Sequence, residues 1–124
     1  MISKTGYFRI FNPCSHRYHI YEVVDLEGYI PLKKPLCNSN RASVNTIQEG
    51  EIILTEGEVI QRIINITLGI PNNEILCGGC MENILLNLQS NIQLFNNYSL
   101  ENFSLNTFNF NSALAICRRP EYYE

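Results

Sequence analysis

An α+β fold, a small antiparallel β-meander with two helices stapled by one structural zinc site, is predicted by three features of the sequence. Aromatic and β-branched residues gather in short, turn-punctuated runs over the first third of the chain. Two apolar stripes at helical spacing follow, the first opened by a capping box. Between them stand Cys77 and Cys80, separated by two glycines.

The strand readings rest on residue type and on the turns between them. Gly6 to Phe11 and Arg17 to Val24 read as two strands, and the intervening Asn12-Pro-Cys-Ser-His is turn chemistry. A second turn, Asp25-Leu-Glu-Gly28, leads into Tyr29-Ile-Pro-Leu, where Pro31 lacks a backbone donor and favours an edge strand. Lys33 to Gly50 is polar and punctuated by Pro35, Asn38 and Asn40, and reads as loop with one short turn. Glu51-Ile-Ile-Leu is a brief strand.

The helices carry clearer signals. Thr55 and Glu58 make the capping box, in which hydroxyl and carboxylate satisfy orphan amides at a helix start. Val59, Ile60, Ile63, Ile64 and Thr67 fall on one face, and Gly69 followed by Pro71 supplies the stop, so the helix is placed at Glu56 to Leu68. A short strand, Glu74 to Cys77, enters the Cys-x-x-Cys turn. Met81, Ile84, Leu85, Leu88 and Ile92 then form the stripe of a second helix that begins near Cys80. The last quarter shows a faint five-residue repetition with Tyr98, Phe103 and Phe108 where a pentapeptide solenoid needs small residues. A loop and a final strand, Ala113 to Cys117, are expected instead.

A chain of 124 residues with 45% hydrophobic content has material for one core, and a single domain over 1–124 is expected. A net charge of -3 and a pI near 5.4 give no basic footprint for phosphate backbones, which disfavours nucleic acid as a direct partner. The sequence shows no uninterrupted apolar run of signal-peptide or membrane-spanning length, and the expectation is a cytoplasmic protein. Five cysteines, Cys14, Cys37, Cys77, Cys80 and Cys117, make an odd count that fits a closed disulfide framework poorly. In a reducing compartment they read as metal ligands, buried apolar groups or redox thiols.

Two thiolates two residues apart grip one tetrahedral zinc, and the Gly-Gly between them lets both sulfurs converge without side-chain clashes. Two further ligands are needed. Cys37, in the turn-rich run Pro35-Leu-Cys-Asn-Ser-Asn, is the best placed, and His19 on the second strand is favoured for the fourth position. Cys14 with His16 forms a rival Cys-x-His pair, and Cys117 is a further candidate thiol.

Three segments carry a resemblance: Arg17-Tyr-His-Ile-Tyr, Pro35-Leu-Cys-Asn-Ser-Asn-Arg, and Ile75-Leu-Cys-Gly-Gly-Cys-Met-Glu-Asn-Ile-Leu. Their order resembles that of a group of short zinc-binding proteins from phages and mobile elements. There an aromatic-histidine strand, a Leu-Cys-Gly turn and a Cys-x-x-Cys helix start recur. The resemblance, which covers roughly Arg17 to Leu88, implies His19, Cys37, Cys77 and Cys80 as ligands of a structural zinc. Asn38 stands where the group has glycine, and the stretch between Cys37 and Cys77 is longer than in that group.

Two enzymatic patterns compete with the structural one. Zinc deaminases pair a helix that opens with His-x-Glu with a later Cys-x-x-Cys helix. Here Glu56-Gly-Glu58 precedes Cys77 and Cys80 in that layout, with Glu58 in the proton-shuttle position, but Glu56 replaces the metal-binding residue. A thiol redox pair would place Cys77 exposed at a helix start with a lowered pKa. No catalytic residue is assigned. A closed Cys3His zinc leaves no open coordination position, so the expected function is a protein-interaction module whose acidic balance suits a basic partner surface.

Overall fold

The computed structural model describes residues 6–12, 17–25, 27–28, 30–31, 34–39, 51–70, 75–90 and 108–122. Four strands form one antiparallel sheet: β1 (Tyr7–Phe11), β2 (His19–Asp25), β3 (Ile30–Pro31) and β4 (Ile52–Thr55), in the order β3-β2-β1-β4. β1, β2 and β3 are the expected meander, and β4 adds to its far side. Pro31 does sit on an edge strand, opposite Val23.

The pleat sorts β1 onto two faces. Phe8 and Ile10 point to the helices with Ile20 of β2 and Leu54 of β4, while Arg9 pairs with Tyr21 and Ile53 on the other side. Both faces are buried: Phe8, Ile10 and Ile20 on one, Arg9, Phe11, Tyr21 and Val23 on the other. Burial of both faces accounts for the aromatic and β-branched residues found at successive positions of β1 and β2.

α1 spans Glu56–Thr67 and is capped as the sequence dictates. The Glu58 amide donates to the Thr55 hydroxyl oxygen and the Glu58 carboxylate accepts from the Thr55 amide at 2.9 Å. Gly69 takes the left-handed conformation (φ 78°) that ends the helix. Val59, Ile60, Ile63, Ile64 and Ile66 are buried, each stabilising the fold by roughly 1.5–3 kcal/mol relative to exposure. α2 spans Gly78–Ser90 and buries Cys80, Met81, Ile84, Leu85 and Leu88. Ile92, expected on the same stripe, lies outside the described residues.

The C-terminal segment departs from expectation. Ala113 to Cys117 is not a strand but part of a third helix, α3 (Phe110–Cys117), followed by a 3-10 turn at Pro120–Tyr122. Its buried residues, Phe110, Ala113, Leu114 and Cys117, follow helical spacing, and Asn109 caps it by accepting from the Ser112 amide at 3.0 Å. An apolar run of that length satisfies strand and helix alike, and contacts with α2 and α1 decide for the helix. The strand expected at Glu74 to Cys77 also shrinks, to one parallel bridge between Leu76 and Tyr18. Among the described residues one hydrophobic cluster draws on β1, β2, β4, α1, α2 and α3.

Candidate metal centre

The site lies along the outer edge of β2. In an antiparallel strand alternate residues turn their backbone groups away from the neighbour, and β3 covers this edge only from Val23 onward. Tyr18 and Ile20 therefore present four outward groups, and each is used. The Tyr18 amide donates to the Ile75 carbonyl (2.7 Å) and the Cys77 amide to the Tyr18 carbonyl (2.8 Å). The Leu36 amide donates to the Ile20 carbonyl (2.8 Å), and the Ile20 amide donates to Cys80 Sγ (3.4 Å). Two distant segments, the Cys37 turn and the run from Ile75 to Cys80, are thus tied to Tyr18 and Ile20, and His19 stands between those two.

The Cys37 turn is shaped by its own sequence. The Asn38 amide donates to the Pro35 carbonyl at 2.9 Å, and Asn38 adopts a φ of 60°. Asparagine tolerates this left-handed conformation where most residues do not. The side-chain Nδ2 of Asn83, about one turn beyond Cys80 on α2, donates to the Leu36 carbonyl at 3.3 Å and pins the turn to the helix.

His19, Cys37, Cys77 and Cys80 consequently converge, with one donor atom from each lying within 4.8 Å of all the others. His19 Nδ1 is 3.5 Å from Cys37 Sγ and 4.0 Å from Cys80 Sγ. Bonds of about 2.0 Å to nitrogen and about 2.3 Å to sulfur put the donors of a tetrahedral zinc roughly 3.5–3.8 Å apart. Three thiols and one imidazole at these separations can hold such an ion with little rearrangement. No family model, curated protein or solved structure matches the chain. The case for a metal therefore rests on the geometry and chemistry of these four side chains.

Electrostatics inside the cluster describe a proton-filled version of the same cage. Burial pushes the His19 imidazolium down, but hydrogen bonds from Cys37 and Cys77, with their charges, outweigh it and hold the pKa up at about 9. Hydrogen bonds from Cys37 and Cys80 hold the Cys77 thiol far below the ordinary value, whereas burial, then its neighbours Cys37 and Cys77, drive Cys80 well above it. A thiolate facing an imidazolium is the internal salt that a divalent cation would replace, displacing the His19 proton as it binds. His19 Nε2 is buried without a hydrogen-bond partner among the described residues, which leaves Nδ1 as the nitrogen aimed at the sulfurs.

Gly79 has a role different from the expected one. The two glycines do not form a loop between the cysteines; they are the first turn of α2, and neither is among the positive-φ glycines. A Cβ on Gly79 would stand 2.8 Å from Cys37 Cβ and 3.9 Å from Cys77 Sγ. Its missing side chain is the space Cys37 occupies. Gly79→Ala should therefore weaken zinc binding by roughly 10–100-fold, as other changes beside metal ligands do, although alanine favours the helix itself by about 1 kcal/mol. Competition against a chromogenic chelator measures this, and an unchanged affinity would refute the packing argument.

The remaining candidates separate cleanly. Cys117 packs in the helical core, with its thiol pushed up to about 12 by burial and by the nearby Glu82 charge, and it is not in the cluster. Cys14 and His16 lie outside the described residues. Glu58 is engaged in its helix cap, and no carboxylate joins the four-residue group among the described residues. Asn83 and the edge residues Tyr18 and Ile20 carry no ligand atoms, and only their spacing from Cys80 and His19 marks them in the sequence.

Proposed function

We propose that this chain is a non-enzymatic, zinc-stabilised protein-interaction module, with a structural zinc held by His19, Cys37, Cys77 and Cys80. The observation that carries the reading is the closed donor set: four protein donors fill a tetrahedral shell and leave no position for substrate or water. Zinc is the ion that three thiolates and one imidazole favour in tetrahedral geometry. Its work is then to fix a surface built on β2, the Cys37 turn and the start of α2.

The net charge of -3 favours a partner with a basic surface. The order of the aromatic-histidine strand, the Leu-Cys turn and the Cys-x-x-Cys helix start supports a phage or mobile-element accessory acting on a host or defence protein. A deaminase-like reading has less support, because the glutamate it needs caps α1. Among the described residues no helix is long and apolar enough to cross a membrane.

The test is capture of partners by the zinc-loaded chain, followed by reconstitution of each binary complex from purified components. A basic partner that binds the loaded protein, and loses affinity on zinc removal, supports the reading. Turnover of nucleosides by the loaded protein, or tight DNA binding that weakens steeply with salt, would overturn it.

A further inference from the structure

The four donors are not equally sheltered. Cys80, His19 and Cys77 are buried, Cys80 fully so and held by the Ile20 amide. Cys37 is partly exposed, and it lines, with Cys77 and His19, an open groove of about 560 Å³ whose other walls include Leu36, Glu82, Asn83 and Leu86. Cys80 does not reach this groove. A small oxidant entering from solvent meets Cys37 first, and the second thiol along the same groove is the buried Cys77.

We propose that the centre is an oxidant-sensitive release site, in which hydrogen peroxide converts Cys37 and Cys77 to a disulfide and frees the metal. The proposal rests on the zinc reading above and adds regulation to it. The Cys37 thiolate attacks one peroxide oxygen, the O–O bond breaks, and a sulfenic acid forms while the other oxygen leaves as hydroxide and takes a proton to become water. The Cys77 thiolate then attacks the sulfenic sulfur. The S–S bond forms as the S–O bond breaks, and the oxygen leaves as a second water after protonation. Two thiolates lose one electron each, one hydrogen peroxide is reduced, and two protons come from solvent.

His19 and Cys80 alone are half a shell, too few donors to retain zinc. Sequence spacing would favour a Cys77–Cys80 bond, the common outcome for a Cys-x-x-Cys pair. The structure selects Cys37 because its sulfur is the accessible one. It also sits on a short turn fastened through Leu36, whereas Cys80 is locked between α2 and the β2 edge.

The experiment treats the zinc-loaded full chain with hydrogen peroxide, follows free zinc with a chromogenic chelator, then blocks remaining thiols and maps disulfides by mass spectrometry. The expected result is release of about one zinc per chain, a Cys37–Cys77 linkage with Cys80 and Cys117 recovered as blocked thiols, and reloading after a dithiol reductant and zinc. Zinc retention in peroxide overturns the switch and leaves the structural site standing. Release accompanied by Cys77–Cys80, by any pairing with Cys14, or by sulfinic acid without a disulfide, overturns it as well. A chain that purifies folded without zinc and never loads it removes both readings together.

Discussion

Stripping zinc from the loaded protein with a chelator is expected to lower its thermal midpoint by roughly 15 °C or more, or to abolish the cooperative transition. The donors come from three segments far apart in sequence: His19 from β2, Cys37 from the turn after β3, and Cys77 with Cys80 from the start of α2. Backbone hydrogen bonds at the β2 edge and the Asn83 contact to the Cys37 turn bring these together, and a metal would tie all three directly. Structural zinc contributes about 10–16 kcal/mol in small zinc-folded peptides, against a total stability of about 5–15 kcal/mol for an ordinary domain. Even a fraction of that figure dominates here. Cys77→Ser and Cys80→Ser should reproduce the chelator effect and eliminate zinc from the purified protein, while Cys117→Ser should leave the zinc content unchanged. A midpoint indifferent to chelator and to both serine variants would remove the metal from the stability argument.

Acid acts in the same direction as the chelator in the loaded protein, because protons compete with the metal for His19 and the thiolates. The metal-free protein has the opposite sign at His19. Its folded pKa of about 9 lies above the ordinary 6.5, so its contribution is fully present below pH 6.5 and is lost as pH rises through 9. The depressed Cys77 thiol carries the opposite sign and offsets this loss. Between pH 6.5 and 9 the metal-free midpoint should therefore change little while the loaded one rises, and thermal midpoints of the two forms check the divergence.

Replacing Arg9 with methionine is expected to cost about 3–5 kcal/mol, although the residue supplies no donor to the proposed metal site. The Arg9 side chain is fully buried, and its Nη1 donates to Glu51 Oε2 at 2.7 Å, itself almost entirely enclosed. The guanidinium lies 4.9 Å from the Phe11 ring centroid and 4.8 Å from that of Tyr21, and the two rings stack at 4.8 Å. Loss of the cation would leave the Glu51 carboxylate buried without its partner and remove two cation–π contacts. The double variant R9M/E51Q should recover more than half of the loss, because the orphaned charge is then gone. Urea unfolding of the four proteins of this cycle gives the coupling directly, and a single-variant cost below about 1 kcal/mol would show the pair to be dispensable.

The centre and the pair differ in how plainly the sequence announces them. Cys-Gly-Gly-Cys before an apolar helical stripe is a local pattern, and the capping box at Thr55 and Glu58 is another. Both were legible because their spacing is fixed by one helix turn. Arg9 and Glu51 are separated by 42 positions and meet only because β4 pairs with β1. Nothing in either local sequence marks the arginine as interior.

What the sequence by itself determined is therefore the set of elements and the chemistry available: a meander ending on Pro31 at an edge, two capped or stopped helices, and four soft or imidazole donors in three separate segments. It also held the signal for the third helix, in the spacing of Phe110, Ala113, Leu114 and Cys117, but an eight-residue apolar segment does not choose between strand and helix until it has neighbours. The tertiary structure decided how the favoured donors meet. The free edge of β2 at Tyr18 and Ile20 collects the Cys37 turn and the start of α2 by backbone hydrogen bonds, and Gly79 leaves the volume in which Cys37 fits. Long-range pairing is selected by edge geometry and packing volume, which are properties of the assembled chain and have no local spelling.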